Sequence, residues 1–388
     1  MATTPEKALR KFVSPEFVFG EGASSLAAQY AANLGAKRPM LVTDAGLMEA
    51  GWAGKLESDL QAAGFECVVY SSVTPNPKDH EVMEGARIYA EAGCDALVAL
   101  GGGSVLDCAK GMGVVNACGG DILSYEGVDT IECALPPMVC VPTTSGSSAD
   151  VSQFAIITDT TRKVKIALVS KMLVPDVSLL DPALTATMSA ALTAETGVDA
   201  LTHSIEAYVS NASSPVTDLF AREAMRLVRG YLVRAVHAPN DLEARAKMCL
   251  ASLDAGLAFS NAILGAVHGM AHSLGGSLDL PHGECNAILL GPVIAFNFPS
   301  SPQRYREVAR ALGCHVEQAP DTEVRDMLLA AIEQLRADVG ITRNLAALGV
   351  TRADIPHLAE LAMQDPCLLT NPRRPTQLDI EAIYEAAL

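Results

Sequence analysis

Cys94-Asp-Ala-Leu-Val-Ala-Leu-Gly-Gly-Gly-Ser-Val-Leu-Asp107 decides the fold. The apolar run that ends at Leu100 is too short for a helix and reads as a strand buried on both faces. A helix is predicted from Ser104. The three glycines between them let a phosphate approach the backbone closely, and the free N–H groups and positive end of the helix favour an anion there. The stretch is neither a GxGxxG nor a Walker A sequence, because no Gly-Lys-Ser/Thr follows. Its bland reading is a tight turn that needs a positive φ.

The same alternation extends outward. On the N-terminal side, strands are predicted at 15–20, 39–43 and 65–70, and helices at 24–34, 47–63 and 80–92. On the C-terminal side a strand at 137–141 leads into the loop Thr143-Thr-Ser-Gly-Ser-Ser148, then a hairpin pairs 153–158 with 163–168, and a strand follows at 177–180. Strand–helix alternation of this length gives a parallel sheet covered by helices on both faces. Asp44 stands at a strand end, where a dinucleotide-binding carboxylate meets the adenosine ribose; it would favour NAD(H) over NADP(H) by repelling a 2′-phosphate. Its bland role is a helix N-cap. Lys165 either reaches toward a cofactor or occupies the wet face of its strand. From about Ser189 the pattern is helical only, with candidates near 189–210, 215–237, 241–262, 263–276, 284–298, 302–312, 322–339, 344–348, 354–363 and 377–386. The expected organisation is therefore an α/β nucleotide-binding domain over 1–187 and an all-helical domain over 188–388.

The helical half carries a second constellation. Asp199 and His203 are four residues apart, so they share one face of a helix. Gly265-Ala-Val-His-Gly-Met-Ala-His-Ser-Leu-Gly-Gly-Ser-Leu-Asp-Leu-Pro-His-Gly283 holds His268, His272 and His282, three of the eight histidines. Imidazole and carboxylate together suit a borderline divalent ion such as Fe²⁺ or Zn²⁺. The expectation is one metal bound by Asp199, His203 and two of the three later histidines. Spacing alone makes both His268 and His272 ligands, and His282, between Pro281 and Gly283, suits a ligand carried on a loop. The bland reading is a set of satisfied core histidines.

Composition narrows the function classes. In 388 residues, 49% are hydrophobic and 19% charged, which describes a folded chain large enough for two domains. A net charge of −17 repels phosphate backbones and anionic bilayers, so neither nucleic acid nor membrane is the expected partner. The ten cysteines contain no CxxC pair and lie in apolar segments, which predicts buried reduced thiols. Met1 to Lys11 lacks the apolar run of a signal peptide, and no stretch is apolar enough to span a bilayer, so a cytoplasmic protein is expected.

Gly101-Gly-Gly-Ser-Val-Leu-Asp107, Pro142-Thr-Thr144, Gly197-Val-Asp-Ala-Leu-Thr-His-Ser-Ile-Glu-Ala-Tyr208, His268-Gly-Met-Ala-His272, Pro281-His-Gly283 and Cys367-Leu-Leu-Thr-Asn-Pro-Arg373 together resemble the iron-containing (group III) alcohol dehydrogenases, across essentially the whole chain. The resemblance implies a dinucleotide-binding α/β domain, an all-helical domain and an active site in the cleft between them, as in the related dehydroquinate synthases. It implies metal ligands Asp199, His203, His268 and His282, with Fe²⁺ or Zn²⁺ as the ion. His272 then stands beside the nicotinamide and substrate, a candidate proton relay and no ligand. Gly101, Gly102, Gly103, Ser104, Asp107, Asp44, Thr143, Thr144 and Lys165 would hold NAD(H), and Phe259 and Cys367 would line the substrate pocket. The implied reaction is NAD-linked oxidation of a short-chain primary alcohol or reduction of its aldehyde, including polar or acidic ones such as sulfoacetaldehyde, by a homodimer or higher homo-oligomer. Glycerol dehydrogenase-like or dehydroquinate synthase-like chemistry, or nucleotide and metal binding without turnover, are the alternatives. One departure stands out. Many members read Thr-Thr-Ala-Gly-Thr-Gly-Ser-Glu where this chain reads Thr143-Thr-Ser-Gly-Ser-Ser-Ala-Asp150, so Ser148 replaces a glycine.

Overall fold

The computed structural model describes residues 10–388, so the leader reading of the first eleven residues lies almost wholly outside the described residues. The chain forms two compact units, Val13–Thr187 and Met188–Leu388, with residues 10–12 packed into the second.

The first unit runs β1 (Glu16–Phe19), α1 (Ala27–Asn33), β2 (Pro39–Asp44), α2 (Ala45–Glu49), α3 (Trp52–Ala62), β3 (Val68–Val73), α4 (Asp79–Glu91), β4 (Ala96–Gly101), α5 (Gly103–Cys118), β5 (Gly127–Val128), β6 (Met138–Pro142), β7 (Phe154–Asp159), β8 (Val164–Val169) and β9 (Val177–Leu180). Six strands form a parallel sheet in the order β1-β9-β6-β4-β2-β3. Alternate residues of β2 and β4 face opposite sides. Met40, Val42, Leu97 and Ala99 pack with Val82 and Ala86 of α4 and Leu106 and Ala109 of α5. Leu41, Val98 and Leu100 pack with Ala27 and Ala31 of α1 and Leu56 and Leu60 of α3. Both faces are dry, which is why these strands read as continuous apolar runs. Consecutive β2 and β3 are neighbours, but β4 pairs on the other side of β2. The order of strands therefore reverses between β2 and β4, and ligands of open α/β sheets bind at the carboxyl ends of such a switch point. The expected hairpin is β7–β8, antiparallel, in a separate three-stranded sheet with β5.

The second unit comprises α6 (Ala190–Val209), α7 (Pro215–His237), α8 (Leu242–Ala262), α9 (Ala266–Leu278), α10 (His282–Asn297), α11 (Pro302–Ala311), α12 (Asp321–Asp338), α13 (Ile355–Gln364) and α14 (Gln377–Ala387). Ser189, Ser214 and Asp241 cap α6, α7 and α8 by accepting from the third helical N–H of each, the chemistry expected of Ser and Asp at that position. Among the described residues no single helix is long and apolar enough to cross a membrane.

Five expectations need correction. The helix at 47–63 is two helices, because Gly51 takes φ +81° and ends the first. The strand at 65–70 is shifted to Val68–Val73, and 344–348 is only a 3₁₀ turn at Ala346–Leu348. His282 is the first residue of α10, so it is not loop-borne: Pro281 sits at the N-cap, where its fixed φ leads into the helix. Finally, Cys118 and Cys133 are joined as a disulfide with Cα atoms 5.8 Å apart, so the reading of all ten cysteines as free thiols fails for this pair.

Candidate functional site

In the helical unit, Asp199 and His203 project from one face of α6, and His268 and His282 approach from α9 and the first turn of α10. The Oδ1 of Asp199 lies 3.8 Å from Nε2 of His203, 3.5 Å from Nε2 of His268 and 3.9 Å from Nε2 of His282. The ligand atoms of Asp199, His268 and His282 lie within 4.8 Å of one another, a set that one divalent ion could draw together, and His203 joins it through its approach to Asp199. Asp199, His203 and His268 are buried and His282 is half-buried. Burial alone would raise the Asp199 carboxyl, but the imidazoles of His203, His268 and His282 outweigh it and hold it well below the usual carboxylate range. Burial likewise pulls the His268 imidazole down, while hydrogen bonds to Asp199 and Glu206 more than offset this and hold it up at about 9. The site thus gathers one carboxylate and three imidazoles, ligand types that suit a dication.

His272 is not part of this convergence. It lies one turn beyond His268 on α9, and its Nδ1 is 2.7 Å from Oδ2 of Asp365. The assignment of both His268 and His272 as ligands from spacing alone therefore separates: the two rings face different carboxylates. The His272 side holds Asp365, whose carboxyl is held down by His272 against the effect of burial, and Cys367, whose thiol burial and Asp365 push well up. Cys367 is thus a buried thiol beside His272 and Asp365, and the three offer ligand atoms within 4.8 Å of one another. Phe259 stacks on the ring of His203 with centroids 4.3 Å apart and supplies an apolar surface.

Three further residues went unnoticed in the sequence. Glu206 places Oε2 2.6 Å from Nδ1 of His268. It is the third member of the α6 stripe, seven residues after Asp199 and three after His203, a spacing that could have revealed it. Asn286, four residues after His282 on α10, is fully buried; its Nδ2 donates to Oδ1 of Asp199 at 2.7 Å and lies 3.2 and 3.1 Å from Nε2 of His268 and His282. Asp365 lies 93 residues from its histidine and carries no local signal.

In the α/β unit Asp44, Gly101 to Ser104, Thr143 and Thr144 lie at or just beyond the carboxyl ends of β2, β4 and β6. Gly101 ends β4, Gly102 is the N-cap of α5, and the 16-residue α5 directs its positive end there. The backbone N–H of Thr143, just after β6, donates to the Gly101 carbonyl at 3.0 Å. A Cβ on Gly103 would meet Ser147 Cβ at 2.7 Å and one on Gly102 would meet Thr144 Cγ2 at 3.0 Å, so the glycine turn and the 143–148 loop form one surface. Gly101 is required by packing: its Cβ would meet Val105 Cβ at 2.4 Å. Ser148, the substituted glycine, adopts φ +52°, the left-handed region that explains why glycine is usual there. Ser104 opens α5 half-buried beside this turn. Asp44 acts as the N-cap of α2, accepting from Leu47 N at 2.9 Å through Oδ1. Asp107 uses Oδ2 to accept from Ile156 N at 3.1 Å, while its buried Oδ1 has no protein partner; burial, partly offset by Lys110, pushes its carboxyl up to about 6. Lys165 lies on β8 opposite Thr158 and adds positive potential at Asp107.

Comparison with known proteins accords with this geometry. Residues 14–182 match the family model for iron-containing alcohol dehydrogenases, and 193–388 match the C-terminal model of the Fe-containing alcohol dehydrogenase family. The chain is 42% identical to a 1,3-propanediol dehydrogenase of Citrobacter freundii over 95% of this chain and 96% of that one. It is 38% identical to an NAD-dependent methanol dehydrogenase of Bacillus methanolicus over 97% and 99% respectively. A crystal structure of 1,3-propanediol oxidoreductase superposes with a TM-score of 0.95 at 40% identity, covering 98% of this chain and all of that one, 100%.

Proposed function

The chain belongs to the iron-containing alcohol dehydrogenase family, and from that premise we propose that it interconverts a short-chain primary alcohol and its aldehyde using NAD(H) and one divalent metal ion, Fe²⁺ in preference to Zn²⁺. The observation that carries the reading is the approach of three imidazole Nε2 atoms, those of His203, His268 and His282, to Asp199 Oδ1 at 3.8, 3.5 and 3.9 Å. A dication bound there supplies Lewis acidity, which lowers the pKa of an alcohol oxygen.

The chain's own residues do the rest. Asp199, His203, His268 and His282 hold the ion. His272, with Nδ1 engaged by Asp365, keeps Nε2 as the ring nitrogen that takes the alcohol proton or returns it. The buried Phe259 lies against His203 and keeps water from the reacting carbon. Its apolar face, together with the neutral thiol of Cys367, favours a small uncharged alcohol over an acidic one such as a sulfonate. In the α/β unit the N-terminus of α5 and Gly101 to Ser104 take the pyrophosphate, and Asp44 offers its second carboxylate oxygen to the ribose. The reaction balances as alcohol and NAD⁺ giving aldehyde, NADH and a proton.

The two named relatives act, by their names, on 1,3-propanediol and on methanol, which supports small neutral alcohols as the class. The test is NADH formation by purified, Fe²⁺-loaded protein over a panel of methanol, ethanol, 1,3-propanediol, lactaldehyde, glycerol and sulfoacetaldehyde, the aldehydes being read as NADH consumption. Preferred turnover of a neutral alcohol supports the proposal. Preferred turnover of sulfoacetaldehyde overturns the substrate class, and no change in NADH with any of them overturns the reaction.

A further inference from the structure

Glu206 is buried and makes two bonds to one helix. Its Oε2 lies 2.6 Å from Nδ1 of His268, and its Oε1 accepts from Val267 N at 2.7 Å. Val267 is in the first turn of α9, where the backbone N–H groups have no partner within the helix. The neighbouring Ala266 N is taken by Oδ1 of Asn371 at 3.1 Å, and Asn371 is itself fixed by Asn297 at 2.9 Å. The helix therefore starts on two side chains delivered from elsewhere, and one of them also holds a candidate metal ligand. Gly265 lies between the two: a Cβ there would meet Asn371 Oδ1 at 2.8 Å and Glu206 Oε1 at 2.9 Å.

The tautomer of His268 follows from this arrangement. An ionised carboxylate only accepts, so Nδ1 must carry the proton that Oε2 receives. In the neutral ring that a metal ion requires, Nε2 is then the nitrogen with the lone pair, and it is the one that faces Asp199 at 3.5 Å. We propose that Glu206 is the positioning residue of the metal centre, which fixes His268 as a ligand by setting its tautomer and ties that ligand to the start of α9. This rests on the reading of Asp199, His203, His268 and His282 as the metal site. It also explains why His268 and His272, one turn apart on α9, take different roles: the carboxylate behind each ring differs in position and in what else it holds.

Glu206→Gln separates the two tasks. A carboxylate has two acceptor oxygens and an amide has one. If the Gln oxygen keeps the Val267 bond, its NH₂ faces His268 Nδ1, which must then accept, and the ring proton moves to Nε2. The ligand lone pair is lost while the helix start is kept. Removing such partners of ligating histidines weakens metal binding about 10- to 100-fold. Gly265→Ala reaches the same carboxylate from outside the metal site, since its methyl must displace Glu206 Oε1 or Asn371 Oδ1.

The experiment is a competition titration of the metal-stripped protein with Co²⁺ or Zn²⁺ against a chromophoric chelator, for wild type, Glu206→Gln, Gly265→Ala and Asp365→Asn, with circular dichroism on each. The expected result is a Kd raised about 10- to 100-fold in Glu206→Gln and raised in Gly265→Ala, with native helicity, and an unchanged Kd in Asp365→Asn. A wild-type Kd in a folded Glu206→Gln overturns the proposal. Equal weakening in Asp365→Asn also overturns it, because a general loss of buried carboxylate would then account for the effect. Failure of wild type to bind either ion would instead refute the metal-site reading on which the proposal rests.

Discussion

Gly283 follows His282 at the start of α10, and its place is set by contact with α6. A Cβ on Gly283 would stand 2.6 Å from the backbone oxygen of Glu195 and 2.8 Å from its carbonyl carbon. These are backbone atoms, so no side chain can rotate away. Restoring ordinary contact at 3.4 Å requires α10 and α6 to separate locally by about 0.8 Å. His282 is adjacent to Gly283 on α10, and Asp199 is one turn after Glu195 on α6, so the opening falls between two candidate ligands. Metal–ligand distances tolerate only about 0.2 Å, so Gly283→Ala is expected to lose metal affinity by at least tenfold and to cost about 1–3 kcal/mol of stability as an overpacked contact. Gly230, inside α7, has nothing within 4 Å of its Cβ position. Gly230→Ala should therefore raise stability by about 0.5–1 kcal/mol and leave the metal alone. The assay is metal content by elemental analysis together with the thermal midpoint of the metal-stripped protein. A Gly283→Ala protein with full metal occupancy and an unchanged midpoint would refute the reasoning.

Other expectations follow from single groups. Asp44→Ser keeps an N-cap oxygen but removes the charge, so it should raise kcat/KM with NADPH relative to NADH while the thermal midpoint stays near wild type; wild-type turnover of NADPH equal to that of NADH would exclude a ribose role for Asp44. His272→Gln should keep one metal ion per chain and lose turnover, whereas loss of metal would make His272 a ligand. Asp254, on α8, has its carboxyl raised to about 7 by burial and by Glu223. Its folded pKa lies above the unfolded one, so its contribution is full at low pH and is lost as pH rises toward 7. Asp254→Asn should therefore stabilise the protein at about pH 8, by about 1–2 kcal/mol once partial exposure is discounted, and by much less at about pH 5; equal effects at both would contradict the assignment.

The fold was legible because both faces of its sheet are dry. β2, β4 and β6 carry uninterrupted apolar runs, and Gly101 to Gly103 mark the turn where packing against Val105, Thr144 and Ser147 forbids a Cβ. The boundaries that slipped were those set by backbone conformation. Gly51 could have continued a helix by composition, and only its positive φ stops it. The candidate metal ligands were visible as residue types, since Asp199 and His203 have helical spacing, as do His268 and His272. Which histidines belong together was not visible, because the answer depends on Glu206 and Asp365, carboxylates on other elements at sequence separations of 62 and 93. Glu206 left a trace in the α6 stripe, and Asp365 left none. Pairing of Cys118 with Cys133 was equally hidden, because the intervening segment that brings them together has only short 3₁₀ and strand pieces.

The central claim is that Asp199, His203, His268 and His282 hold one dication on which NAD-linked alcohol oxidation depends. The most direct measurement is a titration of chelator-stripped protein with Fe²⁺ under anaerobic conditions, following NADH formation from 1,3-propanediol, for wild type and a His268→Ala, His282→Ala double variant. The account predicts no activity without metal, recovery in wild type that saturates at one ion per chain, and no recovery in the double variant. Undiminished NADH formation by the stripped wild type, or metal-dependent recovery in the double variant equal to wild type, would contradict it.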